Sequence, residues 1–210
     1  MNKKLEKYIE DHSSPSDPVL EDLYRQTYLR FVNPNMVSGH LQGKLLELIS
    51  MMIKPENILE IGTFTGYSAI CLAKGLCPGG RMITIEINDE LSAFAHSYFT
   101  RAGVDTKITQ LTGRAQDLIP GLDLTFDLVF IDADKREYIE YYNLIIDKVK
   151  PGGFILVDNV MWGGQVIEKE ITDPQALGIV NFNEMIRLET EIENVIIPIR
   201  DGLMLIRKKA

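Results

Sequence analysis

The hydrophobic positions of this chain alternate between short continuous runs and stripes at helical spacing. Asn57-Ile58-Leu59-Glu60-Ile61 is the first apolar run; it carries one acid and ends at Gly62. A turn of small and polar residues follows, and then a helical segment through Lys74. Further strands are predicted over 81–87, 106–111, 126–131 and 154–157, with helices over 89–101, 115–119 and 137–149 between them. The run Phe126–Ile131 is apolar except for Asp127, as expected of a strand covered on both faces. Pro151-Gly152-Gly153 predicts a turn, 159–171 a glycine-containing loop, and 173–189 the last helix. Two closing strands, 194–199 and 203–207, flank Arg200-Asp201-Gly202, whose Asp-Gly pair predicts a hairpin. Ahead of the first strand lie a charged helix over 1–11, a second from the Ser13–Pro18 break to Phe31, and a third over 38–53. The third carries Leu41, Leu45, Leu48, Ile49 and Met52 on one face.

Strands alternating with helices imply an α/β fold, Rossmann-like, with a mostly parallel seven-stranded sheet, helices on both faces and a C-terminal antiparallel hairpin. The 210 residues read as a single domain, 1–210, divided into an N-terminal helical cap (1–54) and a sheet core (55–210). Hydrophobic residues at 45% and charged residues at 25% are ordinary values for a globular chain. No apolar run reaches the roughly 18 residues of a membrane span. The charged N-terminus is unlike a signal peptide. Cys71 and Cys77 match no zinc or redox spacing and read as buried thiols in a reducing compartment, so the expected location is cytoplasmic. A net charge of −8 disfavours generic nucleic-acid binding, with a local basic patch from Lys3, Lys4, Lys7, Arg207, Lys208 and Lys209 left open.

In open α/β sheets, ligands bind beyond the carboxyl ends of the strands, so the polar residues there carry the chemistry. At the first such end, Gly62 and Gly66 permit a sharp turn, but Phe64 and Tyr67 occupy the other glycine positions of a dinucleotide fingerprint. A NAD-type dehydrogenase is thereby disfavoured. An acid before the glycine suits a cationic group better than a phosphate, which points to S-adenosylmethionine (SAM). Glu86 ends the second strand, where a carboxylate can accept from both hydroxyls of a ribose. After the third strand, Gly113–Asp117 offers either an adenine contact through backbone and Gln116 or a plain helix cap by Asp117. Asp132, Asp158 and Asn159 end the fourth and fifth strands and form a hard-oxygen set suited to Mg²⁺, Mn²⁺ or Ca²⁺, the alternative being two acids capping separate turns. Lys135, three residues past Asp132, is either a general base with a lowered pKa or a surface lysine at a helix start. His40 falls where a site could be lined, whereas His12 and His96 read as solvent-facing. Trp162 either walls an aromatic pocket or packs its own loop.

With these residues in view, the chain resembles the metal-dependent, SAM-dependent O-methyltransferases of the caffeoyl-CoA and catechol O-methyltransferase group. The resemblance is carried by Met36-Val37-Ser38, Leu59–Ser68, Glu86, Phe130–Lys135, Val157–Trp162 and Asp201-Gly202-Leu203, in order along nearly the whole chain. It implies the SAM-methyltransferase version of the fold and SAM contacts at Val37, Glu60, Gly62, Thr63, Phe64, Ser68, Glu86, Ala115, Gln116 and Asp132. It also implies a metal at Asp132, Asp158 and Asn159, with Lys135 and Asp132 catalytic. Met36, Ser38, His40, Lys135 and Trp162 fall where the acceptor would sit, and the helical cap would help shape that site. The reaction implied is divalent-metal-dependent methyl transfer from SAM to a hydroxyl of a catechol-like small molecule, by an enzyme that is commonly a homodimer. Gly163 stands where the plant caffeoyl-CoA enzymes carry asparagine, and Gly39-His40-Leu41-Gln42 replaces a more acidic stretch; both differences point away from a CoA ester. Alternatives are O-methylation of a hydroxylated uridine in tRNA, as some bacterial relatives perform, and a non-catalytic SAM-binding module.

Overall fold

The structure, a computed structural model, describes residues 3–210, the side chains of Lys3 and Glu6 excepted. Three helices precede the sheet: α1 (Lys3–Asp11), α2 (Pro18–Arg30) and α3 (His40–Ile53). Asp17 starts α2 by accepting the Val19 N–H, and Pro18 takes the first helical position, where a missing N–H costs no bond. The third helix starts two residues later than its predicted start at Ser38, because Gly39 takes φ 75°. Next come β1 (Asn57–Ile61), α4 (Tyr67–Ala73), β2 (Arg81–Glu86), α5 (Ser92–Arg101), β3 (Ile108–Thr112) and α6 (Ala115–Leu118). The chain ends with β4 (Phe126–Ile131), α7 (Tyr138–Ile145), β5 (Val149–Asp158), α8 (Pro174–Leu188), β6 (Ile192–Ile197) and β7 (Leu203–Lys208).

The seven strands lie in the order β3-β2-β1-β4-β5-β7-β6. The first five pair in parallel, and β7 runs antiparallel to both of its neighbours, one place in from the edge. The chain winds outward from β1 to β3, then crosses back to β4, so the loops after β1 and β4 leave in opposite directions and open a crevice between them.

Strand periodicity sorts the core into two layers. In β4, Leu128 and Phe130 join the layer beneath α2–α5, while Val129 and Ile131 join the layer beneath α6–α8, and all four are fully buried. Continuous apolar runs are therefore required in the central strands.

The structure corrects three expectations. Pro151-Gly152-Gly153 is not a turn before the fifth strand but lies inside β5, where the pairing with β4 shifts register between Phe126 and Leu128. Gly152 there takes φ 79°, so the irregularity reads locally as a turn although the strand continues through it. The helix predicted to Val149 stops at Ile145, and a 3-10 turn over Ile146–Lys148 leads straight into β5. Cys71 is buried as expected, but Cys77 is partly exposed in the turn after α4; both thiols are free.

Helix α8 packs closely over the 3-10 turn Lys135–Glu137. A Cβ at Gly178 would lie 2.5 Å from the Lys135 carbonyl oxygen and 2.8 Å from the Arg136 Cα. Gly→Ala inside a helix ordinarily stabilises by about 1 kcal/mol. Here the clash reverses the sign: Gly178→Ala is expected to destabilise by about 1–3 kcal/mol, read from the urea midpoint at unchanged slope.

Candidate active site

The turns after β1, β2, β3, β4 and β5 converge on a cavity of ≈ 890 Å³, closed on one side by Asn35–Ser38 and on another by Trp162. The tightest point is Gly62. Its φ is 101°, and a Cβ there would lie 2.0 Å from the carbonyl oxygen of Asp132. The Gly62 N–H donates to Ile85 (2.9 Å) and the Asp132 N–H donates to Ile61 (2.9 Å), so three strand ends are tied at this point. Phe64, in the left-handed region at φ 47°, donates its N–H to Glu86 Oε2 (2.7 Å), while Glu86 Oε1 accepts from the Asn88 N–H (3.0 Å). The carboxylate of Glu86 is thus held in place at the cavity wall with one lone pair per oxygen still available for a ligand diol.

Glu60 is absent from the cavity lining. It is fully buried and lies behind the cavity wall formed by Thr63 and Ser68. The Thr84 hydroxyl donates to its Oε2 (2.5 Å), and Thr63 Oγ1 lies 2.5 Å from Thr84 Oγ1. Among the described residues its Oε1 has no hydrogen-bond partner. Burial pushes the carboxyl up to about 8, against the opposing effect of the neighbouring Ser68 and Thr84 hydroxyls. The shift favours the neutral form of the Glu60 carboxyl.

At the other end of the cavity, parallel pairing of Ile131 with Val157 sets Asp132 and Asp158 at adjoining strand ends. Asp158 is 2% exposed; Oδ1 accepts from the Asn159 N–H (2.8 Å) and Oδ2 from Gln42 Nε2 (2.7 Å). Burial, and then the charge of Asp132, push Asp158 up to about 7. Lys135 is not a surface lysine. It is 7% exposed, donates from Nζ to Asp132 Oδ1 (2.7 Å) and sits 5.2 Å from the ring centre of Tyr138. Its backbone is fixed by Gln175, whose side-chain oxygen accepts the Lys135 N–H (2.9 Å), and Tyr138 donates to the Asp158 carbonyl (2.9 Å).

Two mutually repelling carboxylates beside the amide of Asn159, itself at φ 59°, fit a hard divalent cation. Among the described residues no group of three or more His, Cys, Asp or Glu side chains is placed to hold a metal; Asp132, Asp158 and Asn159 all line the cavity.

Val37, Met36, Ser38, Ala115, Gln116 and Trp162 all line the cavity, as do Gly62, Thr63, Phe64, Ser68, Glu86, Asp132, Lys135, Asp158 and Asn159. The Gln116 amide also reaches Glu140 (3.3 Å), and Trp162 Nε1 donates to Asp173 (2.7 Å), which fixes the ring. His40 does not line it: its Nε2 meets the Ser14 carbonyl (2.8 Å) and ties α3 to the α1–α2 connection instead. Sequence reading missed Gln42, Thr84 and Arg200. Thr84 is hidden inside an apolar strand, Gln42 sits on a predicted core helix, and Arg200 lies in a turn far away along the chain.

The raised pKa of Glu60 has a consequence for stability. Between its ordinary value near 4.5 and about 8 the folded form holds a proton that the unfolded chain has released. Stability therefore falls as pH rises through this window and levels off above it, by at most ~1.4 kcal/mol per pH unit for one proton. Glu60→Gln is expected to show a flatter Tm profile between pH 5 and 8 than the wild-type protein; parallel profiles would contradict the assignment.

The family model described as O-methyltransferase matches residues 10–209. A catechol O-methyltransferase of Niastella koreensis is 37% identical over 79% of this chain and 74% of its own length. The O-methyltransferase TomG of Streptomyces achromogenes, solved with SAM, superposes with a TM-score of 0.92 at 32% identity, covering 100% of both chains. An O-methyltransferase of Bacillus cereus, solved with S-adenosylhomocysteine, gives 0.87 at 31% identity over 98% of this chain and 97% of that one. With its strand-end cavity and the match along almost its full length, this chain belongs to the O-methyltransferase family and is a SAM-dependent enzyme of the catechol and caffeoyl-CoA type.

Proposed function

We propose that this enzyme methylates one hydroxyl of a small aromatic vicinal diol, with Mg²⁺ (or Mn²⁺ or Ca²⁺) held by Asp132, Asp158 and Asn159. The observation that carries the reading is the convergence of the buried Asp158 and the partly buried Asp132 carboxylates, the Asn159 residue and Lys135 at one end of a cavity whose opposite wall holds Glu86. The Niastella relative's name supports a catechol-like acceptor.

The chain's own groups divide the work. Glu86 accepts from the ribose hydroxyls of SAM, and the Gly62–Thr65 turn, unobstructed by a Cβ at Gly62, receives the rest of the cofactor. A bound divalent ion supplies positive charge that lowers the pKa of the acceptor hydroxyl. Lys135 in its neutral form accepts the hydroxyl proton at Nζ, with Asp132 Oδ1 (2.7 Å) placed to hold the resulting ammonium. The acceptor oxygen then forms a bond to the methyl carbon as the carbon–sulfur bond breaks, leaving S-adenosylhomocysteine. Orientation and local electrostatics do most of the catalysis. Met36, Ser38 and Trp162 wall the acceptor, and residues 1–54 act as the cap through Asn35–Ser38.

A tRNA acceptor finds less support. Lys7 pairs with Asp11 and Arg207 with Glu193, Lys208 and Lys209 donate to backbone carbonyls, and the net charge is −8; the Lys3 side chain lies outside the described residues. Homodimerisation is part of the reading, with Leu48, Met51 and Met52 exposed on α3 as apolar surface. So is a cytoplasmic location, consistent with two free thiols. No helix among the described residues is long and apolar enough to cross a membrane.

The decisive test is transfer of labelled methyl from SAM to a catechol panel. Turnover is expected with Mg²⁺ and should disappear with EDTA. Asp158→Ala is expected to lower kcat/KM by at least ~10²-fold, and full metal-stimulated activity in that variant would remove the metal assignment. Lys135→Met should lower kcat by about 10²–10⁴-fold with SAM affinity retained, measured by calorimetry.

A further inference from the structure

The turn between β6 and β7 reaches two edges of the cavity. On one side, Asp201 accepts the Gly163 N–H (2.5 Å) and the Met161 N–H (2.9 Å), and the Gly202 carbonyl accepts the Val160 N–H (3.1 Å). On the other, Arg200 donates from Nη1 to the carbonyls of Val37 (2.9 Å) and Ser38 and from Nη2 to that of Asn35 (3.2 Å). The same Nη1 also reaches Gln42 Oε1 (3.0 Å), so its two N–H groups are shared among three acceptors. Gln42 is 1% exposed and does not line the cavity, yet its Nε2 donates to Asp158 Oδ2 (2.7 Å).

We propose that Arg200 and Gln42 form a positioning relay that sets the orientation of the Asp158 carboxylate. A guanidinium only donates and a carboxylate only accepts, so a glutamine between them has a single workable amide orientation, oxygen toward Arg200 and NH₂ toward Asp158. One Asp158 oxygen is thereby occupied by Gln42 and the other by the Asn159 N–H, which stops rotation of the carboxylate and leaves one lone pair on each oxygen facing the site. Without Arg200 the amide is free to turn; without Gln42 a buried carboxylate loses its only side-chain donor among the described hydrogen bonds. The relay couples the C-terminal hairpin and the helical cap to the same ligand atom. It rests on the reading of Asp158 as a ligand of the divalent ion, and Gln42 and Arg200 act through that residue without touching the reacting atoms.

The test is Mn²⁺ affinity of the full chain, read by electron paramagnetic resonance, in wild type, Gln42→Leu, Arg200→Met, the double variant and Asp158→Asn. Gln42→Leu is expected to bind Mn²⁺ ~10-fold more weakly, as loss of a partner behind a metal ligand typically does. Arg200→Met should show a smaller loss, and the double variant should match Gln42→Leu, because Arg200 works through Gln42. SAM affinity of Gln42→Leu, measured in EDTA, should equal the wild-type value, which separates positioning from general loosening of the fold. Gln42→Met, closer in shape, replaces Gln42→Leu if the latter does not fold. Wild-type Mn²⁺ affinity in the Gln42 variants, with Asp158→Asn impaired, overturns the relay and leaves the cation site standing. Wild-type affinity in Asp158→Asn, or no Mn²⁺ binding by the wild-type protein, overturns the site and the relay together.

Discussion

The close approach of Gly62 to the backbone of Asp132 is the constraint on which the rest of the site depends. With 2.0 Å between a Cβ at Gly62 and the Asp132 carbonyl oxygen, only glycine allows β1 and β4 to end side by side. That contact fixes the distance between the cofactor turn and the acidic end of the cavity. It also explains why the crevice opens here: the chain reverses its winding direction between these two strands, and their following loops part above a shared floor.

Around this fixed point the protein keeps an unusual amount of ionisable material out of water. Glu60, Glu86, Lys135 and Asp158 are all buried. Each is handled differently. Burial favours the neutral form of Glu60, while Glu86 is held by two backbone donors and Lys135 by pairing with Asp132. Asp158 is left with a pKa raised by burial and then by the charge of Asp132, against the Gln42 hydrogen bond. Desolvated groups of this kind cost stability, and such costs gather where charge must be presented to a ligand. A cation between Asp132 and Asp158 would relieve the repulsion, and the surrounding hydrogen bonds hold the carboxylates where that relief is possible.

Much of this was legible in the chain. Continuous apolar runs located the strands, because a sheet covered on both faces needs them, and polar residues at the ends of those runs line the cavity. The misplaced features have local causes. Pro151-Gly152-Gly153 has turn chemistry, yet pairing with β4 carries the strand through it as an irregularity. His40 has the right position along α3 but is drawn away by the Ser14 carbonyl. Glu60 lies on β1, all five residues of which are buried, and is absent from the cavity lining.

The sequence by itself determined the order of elements, the glycine turn and the acids at the strand ends, since these follow from hydrophobic periodicity and backbone sterics within short windows. It also carried enough ordered motifs to identify the family. Tertiary structure alone decided which of those residues reach the cavity and which stand behind it. Gln42 and Asp158 are 116 positions apart, and Arg200 is 158 positions from Gln42. No spacing rule joins them; they meet because α3, β5 and the β6–β7 turn pack against one another, and hydrogen bonds of that range depend on the whole fold.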